Sequence, residues 1–305
     1  MVTGSHVQSA YNRIQACDLC PHACGVNRLN QETGRCKVKD QAVVGSFGCH
    51  HGEEEPLVGK RGSGTIFFSH CNLRCVFCQN ADLAHEGHGQ TITDDELANI
   101  MLRLEQSGAH NINLVTPTHV VHNIIHAISI AKDQGLSVPI VYNTSGYETI
   151  ETLGLLQGIV DVYLVDVKFW DSTRAARYTE TQAKNYPDIV RAALHEMQAQ
   201  VGILTVDDHG LAQRGLMVRH LIMPNNASGT RDFLDWMHHH MPLNTYINLM
   251  AQYDPAHRAA QYPEIDHPID TETFIDVVSH ALNLGLTGLD KQTLWMYDRC
   301  VSRHA

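Results

Sequence analysis

From residue 64 to residue 285, short apolar, β-branched runs alternate six times with amphipathic segments of helical length. The runs are GTIFF (64–68), NINLVT (111–116), VPIVYNT (138–144), VDVYLVDVK (160–168), LMVRHLIM (216–223) and TYINLM (245–250). The segments that follow them include DDELANIMLRLEQSG, VVHNIIHAISIAKDQG, YETIETLGLLQG, PDIVRAALHEMQAQ, TRDFLDWMHHHM and DTETFIDVVSHALNLG. Several open on an Asp or Thr cap and stop at Gly, as helices do. Six such alternations require parallel strands joined by right-handed crossovers. A doubly wound sheet and an incomplete (β/α) barrel both satisfy the pattern. Both place their chemistry at the carboxyl ends of the strands.

Charge and cysteine usage narrow the chemistry. A formal charge of −11 over 305 residues opposes a phosphate-tracking surface, so nucleic acid is not an expected partner. No apolar run reaches membrane-spanning length and the opening stretch has no hydrophobic signal core; no membrane contact and a cytoplasmic location are expected. In a reducing compartment nine cysteines serve metals or catalysis rather than disulfides. Eight of them, at positions 17, 20, 24, 36, 49, 71, 75 and 78, fall in the first quarter of the chain. Cys300 stands alone and reads as incidental. Cys49, in GCHHGEEEP beside His50 and His51, reads as a loop thiol, and EEEP (53–56) as a surface loop.

Cys71, Cys75 and Cys78 form C-x3-C-x2-C directly after the first strand, and so open at the active end of either architecture. Three thiolates suit an iron–sulfur cubane whose fourth iron is free to take a substrate. Zinc with His70 or His85 as fourth ligand is the alternative. Phe77, between the last two cysteines, favours the cluster. Upstream, Cys17, Cys20, Cys24 and Cys36 make C-x2-C-x3-C-x11-C in a stretch too short for a core of its own. A metal staple is expected there, with structural zinc and a fully ligated second iron–sulfur cluster both open.

The three-cysteine loop with its aromatic before the last Cys resembles the radical S-adenosylmethionine (radical SAM) superfamily. The longer stretch GSGTIFFSHCNLRCVFCQN (62–80) is similar to the pyruvate formate-lyase activating enzyme branch, whose motif also runs on to an Asn, here Asn80. YNTSGY (142–147), LVDVKFWD (164–171) and VRHLIMPN (218–225) resemble three downstream blocks of that branch, in order. The resemblance implies an α/β fold, a partial (β/α)6 TIM-like barrel. It implies a [4Fe–4S] cluster on Cys71, Cys75 and Cys78, with SAM at the open iron. Reductive cleavage of SAM would give a 5′-deoxyadenosyl radical for hydrogen abstraction, in the activating type from a glycine of a glycyl radical enzyme. A one-electron donor such as flavodoxin or ferredoxin is implied with it. By motif, Phe77, Asn80, Asn143, Ser145, Asp166, Lys168 and Arg219 fall near the cofactors. Lys168 and Arg219 are cations at strand ends suited to a carboxylate, and Asp166 suits an ammonium or sulfonium.

Two departures stand out. Where the superfamily commonly carries a Gly-Gly-Glu segment after the second strand, this chain has LVTPTH; Thr116, Thr118 or a carbonyl near Pro117 would have to substitute. Where activating enzymes often have an Asp, it has Asn143. The leading cysteines resemble an activating-enzyme-like subgroup with an N-terminal module. The expected organisation is a Cys-rich metal-binding module (1–60), the barrel (61–290) and a C-terminal tail (291–305). By position after a strand, His119 and His122 have a better claim than the other histidines to face the site, though a structural role is the preferred reading; Tyr253 is similarly placed toward a substrate pocket, and the histidines at 238–240 are expected to be solvated. Alternative functions are radical modification of a peptide or small molecule and, in another class, a non-catalytic iron–sulfur electron carrier or zinc-stabilised binding protein.

Overall fold

A computed structural model describes residues 3–304. The chain enters through α1 (Gly4–Arg13), crosses a loop region, and forms β1 (Ala42–His50) and the single turn α2 (Glu55–Val58). β2 (Ser63–Phe68), β3 (Gln90–Ile92), α3 (Asp94–Gln106), β4 (Ile112–Val115), α4 (Val121–Asp133), β5 (Ile140–Thr144) and α5 (Ile150–Leu156) follow. β6 (Val162–Val167), α6 (Ser172–Tyr178), α7 (Tyr186–Val201), β7 (Thr205–Val206), β8 (Ala212–Leu221), α8 (Thr230–His240), β9 (Tyr246–Met250), α9 (Thr271–Asn283) and α10 (Lys291–His304) complete it.

All six expected strands pair in parallel, in the order β2-β4-β5-β6-β8-β9. That order climbs in one direction without the reversal that defines a doubly wound sheet. Among the described residues β9 does not pair with β2. The ring is therefore an open, partial (β/α)6 barrel. β1 lies antiparallel on the outer edge of β2 and β3 antiparallel on β1. The boundary expected near residue 60 thus falls between two strands hydrogen-bonded to each other.

Strand alternation sorts the side chains. Outward-facing Ile112, Leu114, Ile140, Tyr142, Tyr163, Val165, Leu216 and Val218 are buried beneath the helices, while Val141, Val162, Leu164 and Met217 point inward and meet Leu57 of α2 in the lumen. The helices start where their caps are. Thr93 and Glu96 form a reciprocal capping box at α3, and the Asp270 carboxylate accepts from the Thr273 N–H at α9, 2.6 Å. α10 occupies residues assigned above to a tail and packs Leu294, Met296 and Tyr297 on the core. No helix among the described residues is long and apolar enough to cross a membrane.

Candidate active site

The loop that leaves β2 is pinned by its backbone on several sides. Val76 donates to the Tyr178 carbonyl at 2.9 Å, Glu180 to the Arg74 carbonyl at 3.0 Å and Arg258 to the Val76 carbonyl at 2.8 Å. The Asn72 amide donates to the Tyr147 carbonyl, 3.0 Å, and the Thr181 hydroxyl to the Leu73 carbonyl, 2.9 Å. His70 and Arg74 adopt left-handed backbone conformations within it. Phe77 is buried, its ring edge-on to Phe169 at 5.9 Å and Tyr253 at 5.8 Å. The aromatic residue of the motif is thus an anchor for the loop. Tyr253 belongs to the same packing and donates to the Ile265 carbonyl, so it does not line the pocket expected of it.

This anchoring fixes three thiols at the barrel mouth. Cys75 is buried, while Cys71 and Cys78 are half-buried. Burial, then the neighbouring Cys71, pushes the Cys78 thiol up to about 11, against the Asn80 N–H that donates to its sulfur. Burial also drives Cys75 up, opposed by the Lys168 ammonium. Burial thus favours the neutral thiols, and a bound metal would stabilise the ligating thiolate form. Among the described residues no three cysteine sulfurs lie within 4.8 Å of one another. Four ligands 2.3 Å from one zinc would stand about 3.8 Å apart. The loop therefore fits a multi-iron cluster better than a single ion. Neither histidine considered as a zinc ligand completes a cysteine site: His85 bonds the Cys75 carbonyl at 3.0 Å and groups instead with Glu180 and His257. Glu180 is itself held by Arg74 and Arg258.

Opposite the loop, inward side chains at the strand ends form a charged network. Asp166 and Arg219 are register partners on β6 and β8, and the Arg219 Nε donates to Asp166. Lys168 Nζ meets the same carboxylate at 2.7 Å. Arg219 also donates to Asn143 Oδ1 at 2.9 Å and to Glu53 at 3.0 Å, with Glu54 at 3.7 Å. Asn248 donates to Glu54 at 2.9 Å. Burial works to raise the Asp166 carboxyl, but Arg219 and Lys168 overcome it and hold it at about 2. Burial raises Glu53 despite Arg219.

The EEEP segment is therefore no surface loop. Glu53 and Glu54 enter the lumen, their side chains only 8% and 4% exposed, and Glu55 alone is exposed. Sequence reading missed both, and Asn248 with them. The available signal was Pro56, which stands at the start of α2, followed by the fully buried Leu57. Together they turn the preceding glutamates inward.

Several residues expected at the mouth are engaged elsewhere. Thr116 holds a left-handed conformation, φ 59°, and its N–H donates to the Asn143 carbonyl. The Thr118 hydroxyl donates to Glu148 at 2.6 Å, joined there by Thr144 at 2.5 Å and Tyr142 at 3.4 Å. Burial raises Glu148 to about 7, although these hydroxyls favour its charge. His119 and His122 are buried and turned onto backbone, bonding the Ser69 carbonyl at 2.9 Å and the Asp40 carbonyl at 2.8 Å. The start of α4 packs beneath the N-terminal segment, so neither faces the site. The Ser145 carbonyl accepts from Tyr186 at 2.7 Å. Asn80 is exposed. Cys49 is exposed on β1, Cys300 is half-buried on α10, and His239 and His240 are exposed.

The four upstream cysteines are gathered against this loop. Burial, followed by the charges of Cys36, Cys17 and Cys24, raises the Cys20 thiol. Between Cys20 and Cys24, the His22 ring lies 2.8 Å from the carbonyl of Asn72, the neighbour of Cys71.

Comparison with known proteins bears on this arrangement. A sequence model of the radical SAM superfamily matches residues 65–206. An uncharacterized protein of Methanocaldococcus jannaschii is 33% identical over 276 residues, covering 87% of this chain and 74% of that protein. The chain belongs to the radical SAM superfamily. The pyruvate formate-lyase-activating enzyme of Clostridium pasteurianum is 28% identical over 153 residues, 47% of this chain and 61% of that enzyme. Among solved structures, methylornithine synthase aligns at TM-score 0.47 with 16% identity, covering 74% of this radical SAM chain and 69% of that one. The [FeFe]-hydrogenase maturase of Carboxydothermus hydrogenoformans aligns at 0.47 with 13% identity, covering 72% and 50%. This chain spans about half the length of that maturase. Superfamily membership implies a [4Fe–4S] cluster and SAM, and the thiol loop facing Asp166, Lys168 and Arg219 fits both.

Proposed function

We propose that this chain is a cytoplasmic radical SAM enzyme of the activating type, abstracting hydrogen from a glycine of a partner protein, a glycyl radical enzyme. The observation that carries the radical reading is the juxtaposition of three anchored thiols with the Asp166–Arg219–Lys168 network at adjacent strand ends. Bound there, the cluster and SAM supply one-electron reductive cleavage of a carbon–sulfur bond, giving a 5′-deoxyadenosyl radical.

The chain's own residues bind and shield. Cys71, Cys75 and Cys78 hold three irons. Lys168 and Arg219 meet the SAM carboxylate, and Asp166 and Glu53 meet its cationic groups. Glu53, Glu54 and Asp166 against Arg219 and Lys168 leave one negative charge in excess. SAM, with an ammonium, a sulfonium and one carboxylate, carries the complementary positive charge. Glu53 and Glu54 supply the acidic function that LVTPTH lacks. An electron comes from a small donor of the flavodoxin or ferredoxin class.

Two observations support a protein substrate. The barrel is open at the β9 edge, where a cavity of about 200 Å³ lined by Glu53, Arg219, Asn248, Met250 and Gln252 reaches the charged network. The activating enzyme of Clostridium pasteurianum is also among the relatives.

Anaerobically reconstituted protein given dithionite and SAM should release 5′-deoxyadenosine; no release from protein with intact cluster overturns the radical reading. Glycyl radical enzymes carrying α-deuterated glycine should pass deuterium into the released 5′-deoxyadenosine. SAM cleavage without transfer from any such partner would overturn the activating type and point to a peptide or small molecule.

A further inference from the structure

The N-terminal cysteines are brought together by backbone pairing that owes nothing to the barrel chemistry. Cys17 donates to the Val26 carbonyl at 2.8 Å and Gly25 returns a bond to the Cys17 carbonyl at 3.0 Å, which sets Cys17 beside Cys24. Ala23 donates to the Cys20 carbonyl, closing the tight turn between them. The third side comes from Gly34, where a Cβ would stand 2.7 Å from the Cys24 sulfur. Only glycine lets this loop pass so close.

Into this knot projects Arg28, which is fully buried. Its Nε donates to the Lys39 carbonyl at 2.7 Å and its Nη1 to the His119 carbonyl at 2.8 Å, with the Cys17 sulfur 3.9 Å from Nη1. Nη2 has no partner, and no carboxylate pairs with the guanidinium among the described residues. A full positive charge in that position is costly unless an anion lies beside it. Four metal-bound thiolates supply one, since the ligating form of each cysteine is deprotonated.

Zinc and an iron–sulfur cluster would both carry that negative charge, so sulfur spacing has to decide between them. No three cysteine sulfurs among the described residues come within 4.8 Å of one another, wider than the separation of about 3.8 Å that one tetrahedral zinc imposes. A cubane sets each thiolate on its own iron and spaces the sulfurs more widely.

We propose that Cys17, Cys20, Cys24 and Cys36 ligate a [4Fe–4S] cluster, fully held by protein, with Arg28 as its buried counter-charge. The site stands independently of SAM chemistry, because none of its ligands belongs to the three-cysteine loop.

The test removes the other cluster first. The full chain carrying Cys71→Ala, Cys75→Ala and Cys78→Ala together is reconstituted anaerobically with iron, sulfide and an equal supply of zinc. About four irons and four sulfides per chain are expected; one zinc per chain, or neither metal, overturns the proposal. In the same background Arg28→Gln should keep the iron and lower the midpoint potential, because losing a nearby positive charge disfavours the added electron. An unchanged potential in iron-loaded Arg28→Gln overturns the counter-charge role. Should that variant fail to fold, Arg28→Lys keeps the charge and should retain both iron and potential. Folded Arg28→Lys without iron would overturn the pairing.

Discussion

Asp166 and Arg219 are directly opposed in the parallel register of β6 and β8, and Arg219 spans from that carboxylate to Glu53 and Asn143. One guanidinium thus ties three barrel strands, β5, β6 and β8, to the segment before β2. Its removal should have two separable effects. Arg219→Ala should lower SAM affinity by roughly 2 kcal/mol and stability by about 3 kcal/mol, since buried carboxylates lose their partner. The cluster's visible absorption should persist. SAM titration and melting on the same reconstituted samples measure both. Unchanged SAM affinity in folded protein would reduce the network to architecture.

Cys71, Cys75 and Cys78 should behave as one unit. Any single Ala replacement should abolish 5′-deoxyadenosine release and lower iron by about one cubane per chain, leaving the upstream cluster in place. Iron analysis beside a product assay checks this.

Glu53 offers the sharpest test of how SAM is held without the Gly-Gly-Glu segment. Glu53→Gln keeps the shape and a hydrogen-bond acceptor for Arg219 but removes one charge from the mouth. SAM binding should weaken by about 1–2 kcal/mol. Glu55→Gln, exposed and outside the network, should leave it unchanged.

Glu148 predicts a pH dependence. Its folded value of about 7 lies above the ordinary 4.5, so the native state holds a proton that the unfolded chain gives up first. Stability is therefore fully present below about pH 4.5 and is lost as pH rises through about 7. In Glu148→Gln that loss disappears. The variant's stability relative to wild type should improve by roughly 3 kcal/mol between the two limits, read from denaturant midpoints across pH.

The barrel was legible because its central strands, β5 and β6 above all, are buried on both faces and rich in β-branched residues, as the run VDVYLVDVK shows. β1 was not. Gly45 and Gly48 interrupt its apolar pattern; a Cβ at Gly45 would stand 2.5 Å from the end of the Leu83 side chain, which packs over that position. The three-cysteine loop and the Asp166, Lys168 and Arg219 strand ends were also legible, since ligand spacing and strand-end position survive in one dimension. Glu53 and Glu54 were hidden because a run of acids ordinarily means a solvated surface. What buries them is Arg219, a partner distant in sequence. Phe77 was read for chemistry, but its ring serves packing. His119 and His122 failed for a related reason: position after a strand gives the address of a side chain but not the neighbour it turns toward.

The clasp between the cysteine-rich segment and the barrel also sets an order in time. His22 reaches Asn72, Arg28 reaches His119, the Leu19 carbonyl is held by Thr152, and Arg35 reaches the Thr181 carbonyl. Each anchor leaves the ribosome later than the residue it secures. At ordinary synthesis rates the about 145 residues between Arg35 and Thr181 take roughly 7 to 30 s. Through that interval the clasp is incomplete, its anchors arriving one by one at Asn72, His119, Thr152 and Thr181, and a chain being made in air has its leading thiols most open to oxidation before the last of them is in place.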